Sequence, residues 1–277
     1  MKFGVAIFPT DYAISMSELA PTAEAFGFES LWVAEHSHIP VSRLSMRPGG
    51  ADLPKQYWHT MDPFIALTVA ALASKRIRVA TGICLLIQRD PIHTAKQVAS
   101  LDLVSNGRVI FGIGAGWNRE EMADHGTDFS TRWKLLRERV EALKAIWTQE
   151  EAEYHGDMVN FGPTWSWPKP VQKPHPPILL GGSGPKILER VVRYADGWMP
   201  NRGDTIERIP ELQEMARAAG RGPIPVTVYP KPVASEIERM AKAGVERCIY
   251  WVPADGRDQA LAKLEELGRM IRTYLAD

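Results

Sequence analysis

The sequence predicts an α/β protein of the (β/α)8 TIM-barrel class, on three observations. Short β-branched or aromatic runs alternate with stretches of three-four apolar spacing, which is the sign of a parallel sheet covered by helices. Eight such units fit into 277 residues, close to the roughly 250 of an ordinary barrel. No linker-like composition interrupts them, so residues 1–277 read as one domain.

The strand candidates are residues 3–8, 30–34, 77–85, 109–113, 177–180, 197–199, 226–229 and 247–252. Several are almost wholly apolar, as strands buried on both faces are. The first begins at the N-terminus, where Pro9, Thr10 and Asp11 cut the apolar run too short for a signal peptide or a membrane span. Among the helices, Trp133, Leu136, Val140, Leu143 and Trp147 form one stripe, with Ser130 or Thr131 as cap and Arg137, Glu138, Arg139 and Lys144 on the other faces. Asp62-Pro63 opens a helix to Ser74, and Asp90-Pro91 opens another through Leu103. Leu264, Leu267, Ile271 and Leu275 make a closing amphipathic helix. Two long segments, 35–61 and 154–176, read as irregular, and the first follows a strand end, where a barrel keeps its chemistry. It is expected to be a lid, shaped by Pro40, Pro48 and Pro54, with Met46, Tyr57, Trp58 and His59 suggesting an apolar or aromatic-compatible pocket for a small-molecule substrate.

Lys plus Arg and Asp plus Glu number 33 each, for a formal net charge of zero, which leaves no basic face for a nucleic-acid duplex. Cys84 and Cys248 stand in apolar strand-like runs and read as packing residues of a reducing compartment, here the cytoplasm, sooner than as a disulfide or metal pair.

Four stretches carry candidate chemistry. At the second strand's end, Glu35-His36-Ser37-His38 places a carboxylate and two imidazoles at the barrel mouth. A barrel metallohydrolase begins its site similarly, but the last third of the chain has no histidine to complete one, so no metal is expected. The fourth strand breaks into Gly112-Ile113-Gly114-Ala115-Gly116-Trp117, where glycine permits close approach of backbone to a flat ligand. That spacing departs from the dinucleotide fingerprint, and helix packing explains the glycines equally well. Gly181-Gly182-Ser183-Gly184-Pro185 runs from a strand into a helix whose first turn Pro185 suits, and its free amides and the Ser183 hydroxyl form a phosphate cradle. Within the third strand, Thr81-Gly82-Ile83 interrupts an apolar run and marks either a bulge or plain packing.

Together with Leu101-Asp102-Leu103-Val104-Ser105-Asn106-Gly107-Arg108 and Ala195-Asp196-Gly197-Trp198, these stretches resemble, in order and over nearly the whole chain, the luciferase-like monooxygenase superfamily. The branch most similar is that dependent on coenzyme F420, a deazaflavin, with flavin-mononucleotide (FMN) monooxygenases as near relatives. Ala115 stands where luciferases have a phosphate-binding arginine, which favours the deazaflavin. Trp117 stands where deazaflavin sugar-phosphate dehydrogenases have a glutamate, so that acid and that substrate are not carried over. The resemblance implies His36 near the reactive face of the ring, oriented by Glu35. It implies a non-proline cis peptide at Gly82-Ile83 behind the ring, with Thr81 in the same bulge. Gly114, Ala115 and Gly116 would lie against the coenzyme, and Gly181, Gly182, Ser183 and Gly184 would hold its phosphate. The implied reaction is hydride transfer between deazaflavin C5 and a small organic substrate. Oxygen insertion with FMN is the alternative, and a non-catalytic flavin or deazaflavin carrier a second one. A homodimer is implied as well.

Overall fold

In the computed structural model, which describes residues 1–47, 50, 52–201 and 203–275, the elements alternate as the hydrophobic pattern requires. They run β1 (Lys2–Ile7), α1 (Met16–Ala25), β2 (Ser30–Val33), α2 (Gln56–His59), α3 (Pro63–Ala73), β3 (Arg78–Cys84), α4 (Pro91–Val104), β4 (Val109–Ile113), α5 (Arg119–Asp124) and α6 (Arg132–Thr148). Then follow β5 (Ala152–His155), β6 (Asn160–Thr164), β7 (Ile178–Gly181), α7 (Ile187–Tyr194), β8 (Gly197–Met199), α8 (Ile209–Ala218), β9 (Thr227–Val228), α9 (Ala234–Lys242), β10 (Arg247–Trp251) and α10 (Arg257–Ile271). Pro48 of the expected lid lies outside the described residues.

Eight strands form one parallel sheet in the order β8-β7-β4-β3-β2-β1-β10-β9. A parallel bridge between Trp198 and Val226 joins its two ends, with the Trp198 amide donating to the Pro225 carbonyl at 2.9 Å. This nearly closed barrel is the predicted fold class. Inside it lies a layer of Ala6, Trp32, Ala80, Ile110, Leu179, Met199 and Ile249, drawn from seven strands. A larger apolar shell fills the space between strands and helices. Asp62 and Asp90 cap α3 and α4 as expected, each accepting amide hydrogen bonds one turn on and each followed by proline at the first helical position. Cys84 and Cys248 are buried and unbonded to each other. No helix among the described residues is long and apolar enough to cross a membrane.

Three expectations need correction. The segment 154–176 is not wholly irregular: β5 and β6 pair as an antiparallel hairpin outside the barrel. Glu138, placed by its helical position on a polar face, is 2% exposed because its carboxylate accepts the Met158 and Val159 amides and holds that hairpin on α6. Neither Ser130 nor Thr131 caps α6 through its side chain; Ser130 turns instead to Asp128.

Candidate active site

The C-terminal strand ends converge on a cavity of about 910 Å³. Gly82, Ile83, Gly114, Ala115, Gly116, Gly181, Gly182, Ser183 and Gly184 all line it. Thr81 does not; it is 2% exposed, and its hydroxyl donates to the Gly112 carbonyl at 2.7 Å, fastening β3 to β4. Just beyond Thr81 the β3–β4 register shifts, and the Gly82–Ile83 peptide there is cis. Two glycines of this wall are approached closely by neighbouring side chains. A Cβ on Gly82 would stand 2.5 Å from the Tyr229 hydroxyl, and one on Gly114 would stand 2.6 Å from the Ile83 side chain.

One side of the cavity gathers cationic side chains. The turn from β7 leads towards α7, which begins at Ile187, so Pro185 belongs to the turn and not to the first helical turn. Arg190 lies over the Trp133 ring at 4.1 Å and Arg132 over the same ring at 5.8 Å, next to Gly182. Burial, then the like charges of Arg190 and Arg119, push the Arg132 guanidinium below its ordinary pKa. Among the described lining residues Arg47, Arg132, Lys186 and Arg190 are cationic and none is acidic, although the whole chain is formally neutral. Ser183 donates to the Asn201 side chain and accepts from the Asn201 amide, so a phosphate that takes its proton displaces that oxygen.

At the other end the walls are aromatic. Trp251 stacks on Tyr229 at 5.5 Å, and Tyr57 and Trp117 complete that side. His36 is not among the described residues that line the cavity; it packs against the last two, 5.2 and 5.7 Å from their ring centroids, and is itself buried. Its Nδ1 is 2.8 Å from a carboxylate oxygen of Glu121, and its Nε2 makes no hydrogen bond among the described residues.

Glu121, not Glu35, therefore orients the imidazole. The Glu35 carboxylate turns the other way, accepting from the Leu85 amide and the Arg89 side chain, each at 2.6 Å. Burial alone would lower the Arg89 pKa, but Glu35 beside it more than offsets this and raises it. Arg89 also donates to Asp62, so Glu35 belongs to a structural network that ties the lid's root to β3 and α3.

Glu121 escaped the sequence reading because the glutamate position of the resemblance falls on Trp117. The acid arrives one helical turn later, on α5. Asn118 caps that helix through the Glu120 and Glu121 amides, and an asparagine followed by two acids in the first turn was the signal available. The same helix and its C-cap residue hold the 35–61 segment: Glu120 accepts from Ser42 and Ser45, Asp124 pairs with His38, and His125 bonds Ser37. Among the described residues no cluster of His, Cys, Asp and Glu is arranged to hold a metal ion.

The family model of luciferase-like monooxygenases matches residues 1–276. This chain belongs to that family. An uncharacterised protein of Mycobacterium tuberculosis is 43% identical over 275 residues, covering 96% of this chain and 97% of its own. Among solved structures, the monooxygenase RslO1 of Streptomyces bottropensis superposes with a TM-score of 0.83 at 21% identity and covers both chains fully. The coenzyme F420-dependent tetrahydromethanopterin reductase of Methanopyrus kandleri superposes with a TM-score of 0.80 at 20% identity over 99% of each chain. At such identities the two structural likenesses speak for the luciferase-like barrel alone.

Proposed function

We propose that this luciferase-like protein is a coenzyme F420-dependent oxidoreductase acting on a small organic substrate. The observation that carries the reading is the continuous cavity that joins a glycine-rich wall with a group of lining cations that no described lining acid balances. A flat ring with a multiply anionic tail fits that pair of features. Gly82, Ile83 and Gly114 to Gly116 would hold the ring. Gly182 to Gly184, with Arg132, Lys186 and Arg190, would hold the tail, whose negative charge offsets the repulsion among the guanidiniums. Bound there, the deazaflavin supplies two-electron hydride chemistry. His36 would exchange a proton with the substrate, its Nδ1 fixed by Glu121 so that Nε2 is the exchanging atom. His36 packs against Tyr57 and Trp117, which line the cavity that it does not itself line, so these rings would have to yield a path, which would make the 35–61 loop part of the catalytic cycle.

FMN fits the same wall, and the likeness to RslO1, called a monooxygenase, keeps oxygen insertion as the second reading. A mere carrier has no use for a buried imidazole fixed by a buried carboxylate beside the ring site. Titration of F420 and FMN, each oxidised and reduced, into the purified protein tests the proposal. Tight F420 binding with weak FMN binding is expected, and FMN binding alone overturns it. We also propose a homodimer, because α3 leaves Ile65 and Leu72 61% and 71% exposed with Val69 between them, an apolar stripe that a second copy would cover; sedimentation should give twice the chain mass.

A further inference from the structure

Among the described residues that line the cavity, Arg47 is the cation that the tail proposed above does not engage. Its guanidinium lies 5.9 Å from the Tyr57 ring centroid. From Tyr57 aromatic contacts lead to Phe8 at 4.8 Å, on to Trp251 at 5.4 Å and on to Tyr229 at 5.5 Å, whose hydroxyl abuts Gly82. Arg47 thus joins the aromatic side of the cavity, whereas Arg132 and Arg190 gather about Trp133 beside Gly182. Among the described residues its Nε is enclosed without an acceptor and no carboxylate pairs with it. A cavity-lining guanidinium beside an aromatic ring, with no carboxylate among the described lining residues, is matched in charge and geometry by a carboxylate.

We propose that the substrate is a planar organic acid, its carboxylate paired with Arg47 and its conjugated or aromatic body laid against Tyr57 and Trp251. This rests on reading the cavity as the substrate site. An anion is drawn to a cavity lined by cations and no described acid, and the flat walls select an unsaturated or aromatic body over a bulky aliphatic one.

The test uses benzoate, cinnamate and 2-naphthoate, each against its own amide, titrated by calorimetry into the coenzyme-loaded protein and into the coenzyme-free protein. At least one acid should bind about tenfold tighter than its amide. Arg47→Gln should erase that preference and Arg47→Lys retain part of it, while coenzyme affinity stays the same in both variants. Equal affinity for acid and amide across the panel overturns the proposal, as does a preference that survives Arg47→Gln. Loss of coenzyme affinity in Arg47→Gln, in step with loss of the acids, overturns it too, since Arg47 would then serve the coenzyme. Should neither coenzyme bind the unaltered protein, the functional reading falls separately, because the acid preference and its dependence on Arg47 are still read on the coenzyme-free protein.

Discussion

At the N-terminal end of the barrel Arg247 meets Glu29 through hydrogen bonds of 2.9 and 3.0 Å, whereas at the C-terminal mouth four cations face a cavity that no described acid lines. The same end that holds Glu29 satisfies its other charges with equal care. Arg108 donates to the carbonyls of Ser105, Ile77 and Ala71, and Asp102, fully buried, accepts two hydrogen bonds from Gln172. Charge near the lower end is paired internally, whereas the cavity-lining cations at the mouth face no acid among the described lining residues. That division matches the general rule that a barrel's lower end serves stability and its upper end chemistry, and it separates the expected effects of mutation.

Replacing Arg132 and Arg190 together by alanine should weaken coenzyme binding by about 100-fold or more, while thermal stability moves by no more than about 1 kcal/mol as lost cation–π contact offsets relieved repulsion. Fluorescence titration and thermal melts check both halves. At the opposite end, Arg247→Met leaves Glu29 without its partner. Because the Glu29 side chain keeps 29% of its exposure, the cost should be about 2 kcal/mol, below that of a fully buried broken pair, read by urea denaturation, with coenzyme affinity unchanged.

The pH dependence of that pair follows from its charge. Burial pushes the Glu29 pKa up, but the hydrogen bonds and charge of Arg247 outweigh it and hold the carboxyl below its ordinary 4.5. A depressed carboxyl contributes stability above its unfolded value and loses it as the pH falls through its folded one. The stability difference between the unaltered protein and Glu29→Gln should therefore be constant at neutral pH and shrink below about pH 4.5.

Three smaller effects sharpen the picture of the mouth. Glu121→Gln should lower turnover about tenfold while leaving coenzyme affinity and substrate KM intact, since Glu121 positions His36 and touches no ligand. Glu35→Gln should instead reduce stability through Arg89, and the contrast between these two variants separates the orienting acid from the structural one. Least of all, Thr81→Val should cost about 1 kcal/mol by removing the hydroxyl's bond to Gly112, with no change in binding.

What was legible in the sequence is what repeats or acts locally. The apolar strand runs, the Asp-Pro caps and the glycine stretches act over a few residues, and the resemblance adds the cis bond at Gly82–Ile83. What stayed hidden depends on how distant segments meet. Glu35 adjoins His36 in sequence, yet a strand end sends adjacent side chains to opposite sides, so one reaches Arg89 and the other Glu121, 85 residues away. Arg47 and Arg132 likewise become one cavity's charges only after the lid and α6 are placed around it.

The junction of Trp198 with Val226 has a mechanical consequence. β9 has only two residues, Thr227 and Val228, so the barrel wall is most thinly stitched between the strand that leads to Asn201 and the one that leads to Tyr229, both of which border the cavity. Spontaneous parting of the cylinder should begin along this seam, and the Trp198 amide should be among the first strand amides to exchange with solvent. A guest that touches both margins would act as a rivet across it, and its arrival should slow that exchange beyond what the rest of the wall experiences.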